Sequence, residues 1–291
     1  MLFAVDMNRT KCFLAALLFW CIPAFIGCST HQERADRLAK DAGFSKTSIS
    51  GAQFWHVVYL HEPDEKPTDE LHIYIEGDGT PWIGGRYPAI DPTPTHPMAL
   101  EMMAQDPAPA IYLGRPCYFG LAQSTHCRAE FWTSKRYSPE VVESMLSVIK
   151  HYQQAYQSKS IVLIGYSGGG TLAALLARRL QPPVFLLTIA ANLDTNLWTG
   201  LRGFLPLEGS LNPIDYRLEI AQIPQLHLVG LQDHTVPISV TESYTAGLDT
   251  QYVRRYPEFD HFCCWVQLWP EILAEKPWAN SGEEPITAQV P

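Results

Sequence analysis

Charge is scarce in this chain, and what there is leans to one sign. Asp, Glu, Lys and Arg make up 18% of the 291 residues, and 21 basic against 30 acidic groups leave a formal net charge of −9. Phosphate binding draws on clustered Lys and Arg, so this balance excludes a nucleic-acid partner. No run of like charge is long enough to act as an interaction tail. No internal repeat is evident, and the composition excludes disordered, collagen-like and coiled-coil chains. The apolar stretch from Cys12 to Ile26 covers about 15 residues, short of the roughly 20 that a transmembrane helix needs. No cysteine pair has the spacing of a zinc ligand set, and no lysine follows the glycines at 168–170. Neither a metal nor an organic cofactor is expected.

What the chain does have is apolar content, 46% hydrophobic residues over a length that suits one large domain. Segments rich in β-formers, such as Gln53 to Leu60, Leu71 to Glu76 and Val184 to Ala190, alternate with helical ones. Ser138-Pro139 reads as a helix start, with Ser as N-cap and Pro in the first helical position. Ile161 to Ile164 is a continuous apolar run, as expected of a strand buried on both faces. This alternation predicts an α/β fold, a mostly parallel central sheet with helices on both faces. The domain is set at residues 51–278, preceded by a tether and N-terminal segment over 28–50 and followed by a flexible tail over 279–291.

The chemistry centres on Gly165-Tyr166-Ser167-Gly168-Gly169, a G-x-S-x-G match between that buried strand and a Leu/Ala-rich helix. A nucleophile at the tip of so tight a turn needs neighbours without side chains two residues either way, and Gly165 and Gly169 meet the need. A serine hydroxyl is a weak nucleophile until a base takes its proton. His261, just past the last predicted strand, is the expected base, and Asp233, three residues past the strand ending at Gly230, the expected acid. Asp194, after the preceding strand, is the alternative acid. Asp260 reads as a turn residue and His234 as an ordinary loop histidine. A tetrahedral intermediate requires two backbone donors. Gly168 supplies one, and Asp78 or Gly79, in the Glu76-Gly77-Asp78-Gly79 turn, the other. Glu76 and Asp78 are expected to turn their carboxylates away and hydrogen-bond the loop.

On these motifs, over roughly Phe54 to Trp269, the chain resembles the α/β-hydrolase superfamily. Gly114-Arg115-Pro116-Cys117, Phe131-Trp132-Thr133-Ser134, Ser210-Leu211-Asn212-Pro213 and His261-Phe262-Cys263-Cys264-Trp265 look like a branch of exported bacterial hydrolases. The resemblance implies a Ser-His-Asp serine hydrolase acting on a small-molecule carboxylic ester or related acyl bond through an acyl-enzyme. An acyltransferase with the same residues, a peptidase, and a non-catalytic binding lipoprotein are the rivals.

The N-terminus carries a second resemblance. Arg9 and Lys11 precede the apolar stretch as in a secretory leader, an uncleaved anchor being the alternative. Phe25-Ile26-Gly27-Cys28 is similar to the lipobox of bacterial lipoproteins. That implies a leader over 1–27, acylation of Cys28 and a lipid anchor in the membrane of the cell envelope. The periplasmic face is implied, with Ser29 compatible with sorting to the outer membrane. In an oxidising compartment, four cysteines then remain. A Cys117–Cys127 bridge is expected, while the adjacent Cys263 and Cys264 either bridge or stay reduced.

Overall fold

The computed structural model describes residues 30–181, 183–248 and 252–279. The leader, Cys28 and the tail from 280 onward lie outside the described residues. The chain opens with helix α1 (His31–Asp41) and strand β1 (Ser45–Ser50), continues through β2 (Trp55–His61) and β3 (Glu70–Ile75), and then makes a small hairpin of β4 (Trp82–Ile83) and β5 (Tyr87–Pro88). Helix α2 (Met98–Met103), β6 (Ala110–Leu113), α3 (Pro139–Tyr156) and β7 (Ser160–Tyr166) lead to α4 (Gly168–Ala177). The remainder runs β8 (Val184–Ile189), α5 (Thr195–Arg202), α6 (Arg217–Ile220), β9 (Gln225–Gly230), α7 (Ile238–Thr245), β10 (Tyr252–Tyr256) and α8 (Trp265–Glu275).

Eight strands form one sheet in the order β1-β2-β6-β3-β7-β8-β9-β10. The pairs from β6 to β10 are parallel, and only β2 runs against its neighbours. Every residue of β6, β8 and β9 is buried, so helices cover both faces there, as the unbroken apolar runs predict. From β3 the chain crosses to β6 on one side and then to β7 on the other. A crevice opens at such a reversal, beyond the carboxyl ends of the strands.

The N-terminal boundary needs correction. Residues 45–50, assigned above to a tether, pair with β2 in continuous antiparallel register from Ser45–Leu60 to Ser50–Trp55. Helix α1 buries Ala35 and Ala39 against the core. The Ser-Lys-Thr-Ser-Ile-Ser strand lacks an apolar face because it lies at the sheet edge, where backbone pairing holds it in place.

Cys117 and Cys127 form a disulfide with Cα atoms 5.4 Å apart, and the adjacent Cys263 and Cys264 are joined as well. The first closes a loop of sequence separation 10. In the chain-entropy model such a loop stabilises by about 3 kcal/mol. Replacing both Cys117 and Cys127 with serine is therefore expected to lower the unfolding free energy by about that amount in a urea titration. An unchanged midpoint would show that the bridge constrains nothing.

Candidate active site

Strand β7 delivers Ser167 at its carboxyl end, and helix α4 begins at the next residue. Ser167 has φ of +51°, in the left-handed region that L-residues avoid, which turns its side chain out of the strand-to-helix corner. The corner closes only because its flanks lack side chains. A Cβ on Gly165 would collide with the Gly169 carbonyl oxygen, and one on Gly169 with that of Ile75.

Three predicted side chains meet here in a row. Ser167 Oγ lies 3.1 Å from His261 Nε2, and His261 Nδ1 lies 2.8 Å from Asp233 Oδ2. A carboxylate only accepts, so the ring proton sits on Nδ1 and Nε2 presents its lone pair to the hydroxyl. Asp233 Oδ1 accepts the backbone N–H groups of Thr235 at 2.8 Å and Val236 at 2.7 Å, which fixes the carboxylate in the loop after β9. Tyr166 donates its hydroxyl to the His261 carbonyl at 2.8 Å, tying the histidine loop to the elbow. His261 and Asp233 are both buried, and Ser167 is half-buried. A hydroxyl facing a desolvated, oriented imidazole is equipped for proton abstraction during attack on a carbonyl.

Asp194, the alternative acid, is occupied elsewhere. It caps α5, with Oδ1 accepting from Leu197 N at 3.1 Å, and its Oδ2 accepts from the Ser243 hydroxyl at 2.7 Å. Asp260 accepts from the amides of Phe262 and Cys263, as a turn residue does, and His234 is exposed.

The two acidic residues after β3 each sit in their own cage of partners. Glu76 accepts from the amides of Gly77 and Ala99, both at 3.0 Å. Asp78 is held by Arg115 at 2.5 Å, Arg136 at 2.7 Å and the Tyr137 hydroxyl at 2.8 Å, while Tyr118 donates to its carbonyl. Burial alone would raise the Asp78 pKa, but the Arg136 and Arg115 guanidiniums hold it well below the usual carboxylate range. Two buried cations against one anion leave this cluster net positive. It also lies against the elbow, because a Cβ on Gly168 would strike Asp78 Oδ1. Arg115, Arg136 and Tyr137 take this role without belonging to any catalytic sequence motif. The signal that could have found Arg115 is a cation directly after the all-apolar strand β6 and Gly114.

Glu76 differs from Asp78 in that no cation among the described residues pairs with it. Burial pushes its carboxyl up to about 7, against the pull of the Gly77 and Ala99 amides. A pKa raised above the unfolded value of 4.5 means the folded chain binds this proton more tightly. Its contribution is complete below pH 4.5 and is lost as pH rises through 7, at most about 3 kcal/mol. Glu76→Gln removes the titration. The parent's urea midpoint, relative to that variant, is expected to fall between pH 5 and 8; a pH-independent difference would contradict the assignment.

Similarity to known proteins is confined to the fold. No family model matches the chain, and no curated protein does. Solved structures do match. An esterase from Pyrococcus furiosus is 11% identical with a TM-score of 0.56, covering 82% of this chain and 92% of its own. A serine hydrolase without lid from Xanthomonas campestris is 13% identical with a TM-score of 0.53, over 83% and 97%. A proline iminopeptidase from Mycobacterium smegmatis is 13% identical with a TM-score of 0.56, over 80% and 96%. The chain has the α/β-hydrolase fold.

Proposed function

We propose that the protein is a serine hydrolase that cleaves a carboxylic ester or related acyl bond, exported and anchored through an acylated Cys28. The observation that carries the reading is the Ser167–His261–Asp233 row, 3.1 and 2.8 Å long, at a strand-to-helix corner with positive φ. The fold's occurrence among esterases supports it by analogy.

In the first half-reaction Ser167 Oγ bonds to the acyl carbon while its proton passes to His261 Nε2, and Asp233 stabilises the imidazolium. The developing oxyanion is received by the Gly168 amide, which has no intrahelical acceptor at the first position of α4. The second donor is the amide of Asp78 rather than Gly79. Gly77 packs beside Ser167, whereas Gly79 is exposed and backs onto the Pro92 carbonyl. The bond to the leaving alcohol then breaks as the imidazolium protonates it. Water, activated by the same histidine, releases the acid.

The test is turnover of a panel of p-nitrophenyl esters and thioesters by the parent and by Ser167→Ala. Loss of about 10⁴–10⁶-fold in kcat is expected for the variant. Equal rates would reject Ser167 as nucleophile. Acyl transfer to an added alcohol in preference to water would replace the hydrolase by an acyltransferase.

A further inference from the structure

The large apolar side chains that stand in water are not scattered. Among the described residues, eight of ten, all but Trp55 on β2 and Leu218 on α6 just before β9, rise from the segments that follow the carboxyl ends of β3, β8, β9 and β10, the edge that carries Ser167. Ile83, Tyr87 and Ile90 come from the hairpin segment after the Asp78 loop, Phe204 and Leu205 from the end of α5, and Phe262 directly follows His261. Ile90 is 77% exposed and Leu205 79%, which leaves them without a packing role in the folded chain.

The charges here also have a pattern. Residues 80–90 contain one charged side chain, Arg86, and residues 201–206 contain one, Arg202. Both stretches are free of acids in a chain of net charge −9. Each arginine sits by an exposed aromatic ring, Arg86 at 5.8 Å from Tyr87 and Arg202 at 5.7 Å from Phe204. Arginine beside an aromatic ring, with aliphatic groups further out, is the chemistry of a lipid headgroup boundary.

The path of the N-terminus agrees. His31 Nδ1 lies 2.8 Å from the Thr93 carbonyl oxygen, and Arg34 donates to the Thr95 carbonyl at 2.9 Å. Pro92, next to Thr93, accepts from Thr80 just beyond the Asp78 loop. Helix α1 therefore starts at the active-site edge, and in sequence the apolar Cys12 to Ile26 stretch precedes it. Cys28 is three residues before His31, a reach of about 11 Å at full extension.

From these three observations we infer that the Ser167 edge docks on a lipid surface and that the acyl substrate is an ester carried in that surface. The substrate part rests on the hydrolase reading; the docking part does not. Docking brings Arg86 and Arg202 to the headgroups and sinks Ile83, Ile90 and Leu205 beneath them.

The test uses the full chain carrying Ser167→Ala, with and without mixed phosphatidylcholine–phosphatidylglycerol vesicles, read by hydrogen exchange. Amides in 82–90 and 201–205 are expected to slow by about fivefold or more when vesicles are added. Protection confined to residues before His31, or protection that follows protein concentration without lipid, would overturn the inference, the latter in favour of a second copy. A second arm compares Ile83→Ser/Tyr87→Ser/Ile90→Ser with the parent on a long-chain ester in vesicles and on a soluble butyrate ester. Turnover of the vesicle ester is expected to fall at least about tenfold with the soluble rate kept. Parallel loss of both, or loss of neither, would overturn it. A parent that turns over neither ester while the exchange arm shows protection would reject the hydrolase reading and leave docking standing.

Discussion

Asp233→Asn is expected to lower kcat about 10⁴-fold with the fold intact. The reason lies in how the carboxylate is used. One oxygen accepts two backbone amides, from Thr235 and Val236, and the other accepts from His261 Nδ1. Asparagine has only one accepting oxygen. If the two amides keep it, its NH₂ faces Nδ1 and can only donate. The ring proton then moves to Nε2, where it confronts the Ser167 hydroxyl and blocks proton abstraction. Steady-state kinetics beside a denaturation curve checks this. A variant that keeps its rate would remove Asp233 from the mechanism, and one that loses its fold would show a structural role instead.

Asp78→Asn is expected to lower stability by about 3–5 kcal/mol, a large part of the roughly 5–15 kcal/mol that holds a domain folded. Arg115 and Arg136 are 1% and 4% exposed, so the change leaves two guanidiniums in the interior without a counter-charge. Both sides of the cluster are needed to interpret the loss. Adding Arg136→Met to Asp78→Asn returns the net charge to its original value, so the double variant is expected to recover part of the stability. Additive losses in that cycle would mean that packing, and not charge, is what Asp78 supplies.

The same residue connects stability to chemistry. Its side chain is locked by Arg115, Arg136 and Tyr137 and its carbonyl by Tyr118, so the loop proposed to receive an oxyanion is fixed before substrate arrives. A carboxylate beside a developing oxyanion looks unfavourable when read from sequence. With two arginines packed on it, the sign of the cluster reverses.

That reversal marks the limit of what was legible. The order and type of the central strands, the elbow at Ser167 and the positions of Asp233 and His261 followed from apolar runs and glycine spacing, which are local signals. Asp78 lies 37 residues before Arg115 and 58 before Arg136, so only tertiary packing discloses their contact. Strand β1 was hidden because an edge strand is specified by its backbone partner, and only Thr47 and Ile49 of its six residues are even partly buried. Asp194 and Asp233 both follow buried strands, and sequence treats them alike. They separate once α5 forms, because Asp194 becomes its N-cap. That helix, Thr-Asn-Leu-Trp-Thr-Gly-Leu-Arg, carries a glycine and two β-branched residues, and propensity alone does not announce it.

The central claim is that Ser167 is an activated nucleophile. Fluorophosphonate labelling tests it most directly, on the parent and on a Ser167→Ala variant shown to be folded, with the modified peptide identified by mass. One adduct, on Ser167, is expected in the parent and none in the variant. Equal labelling of both, or no labelling of a folded parent, would contradict it.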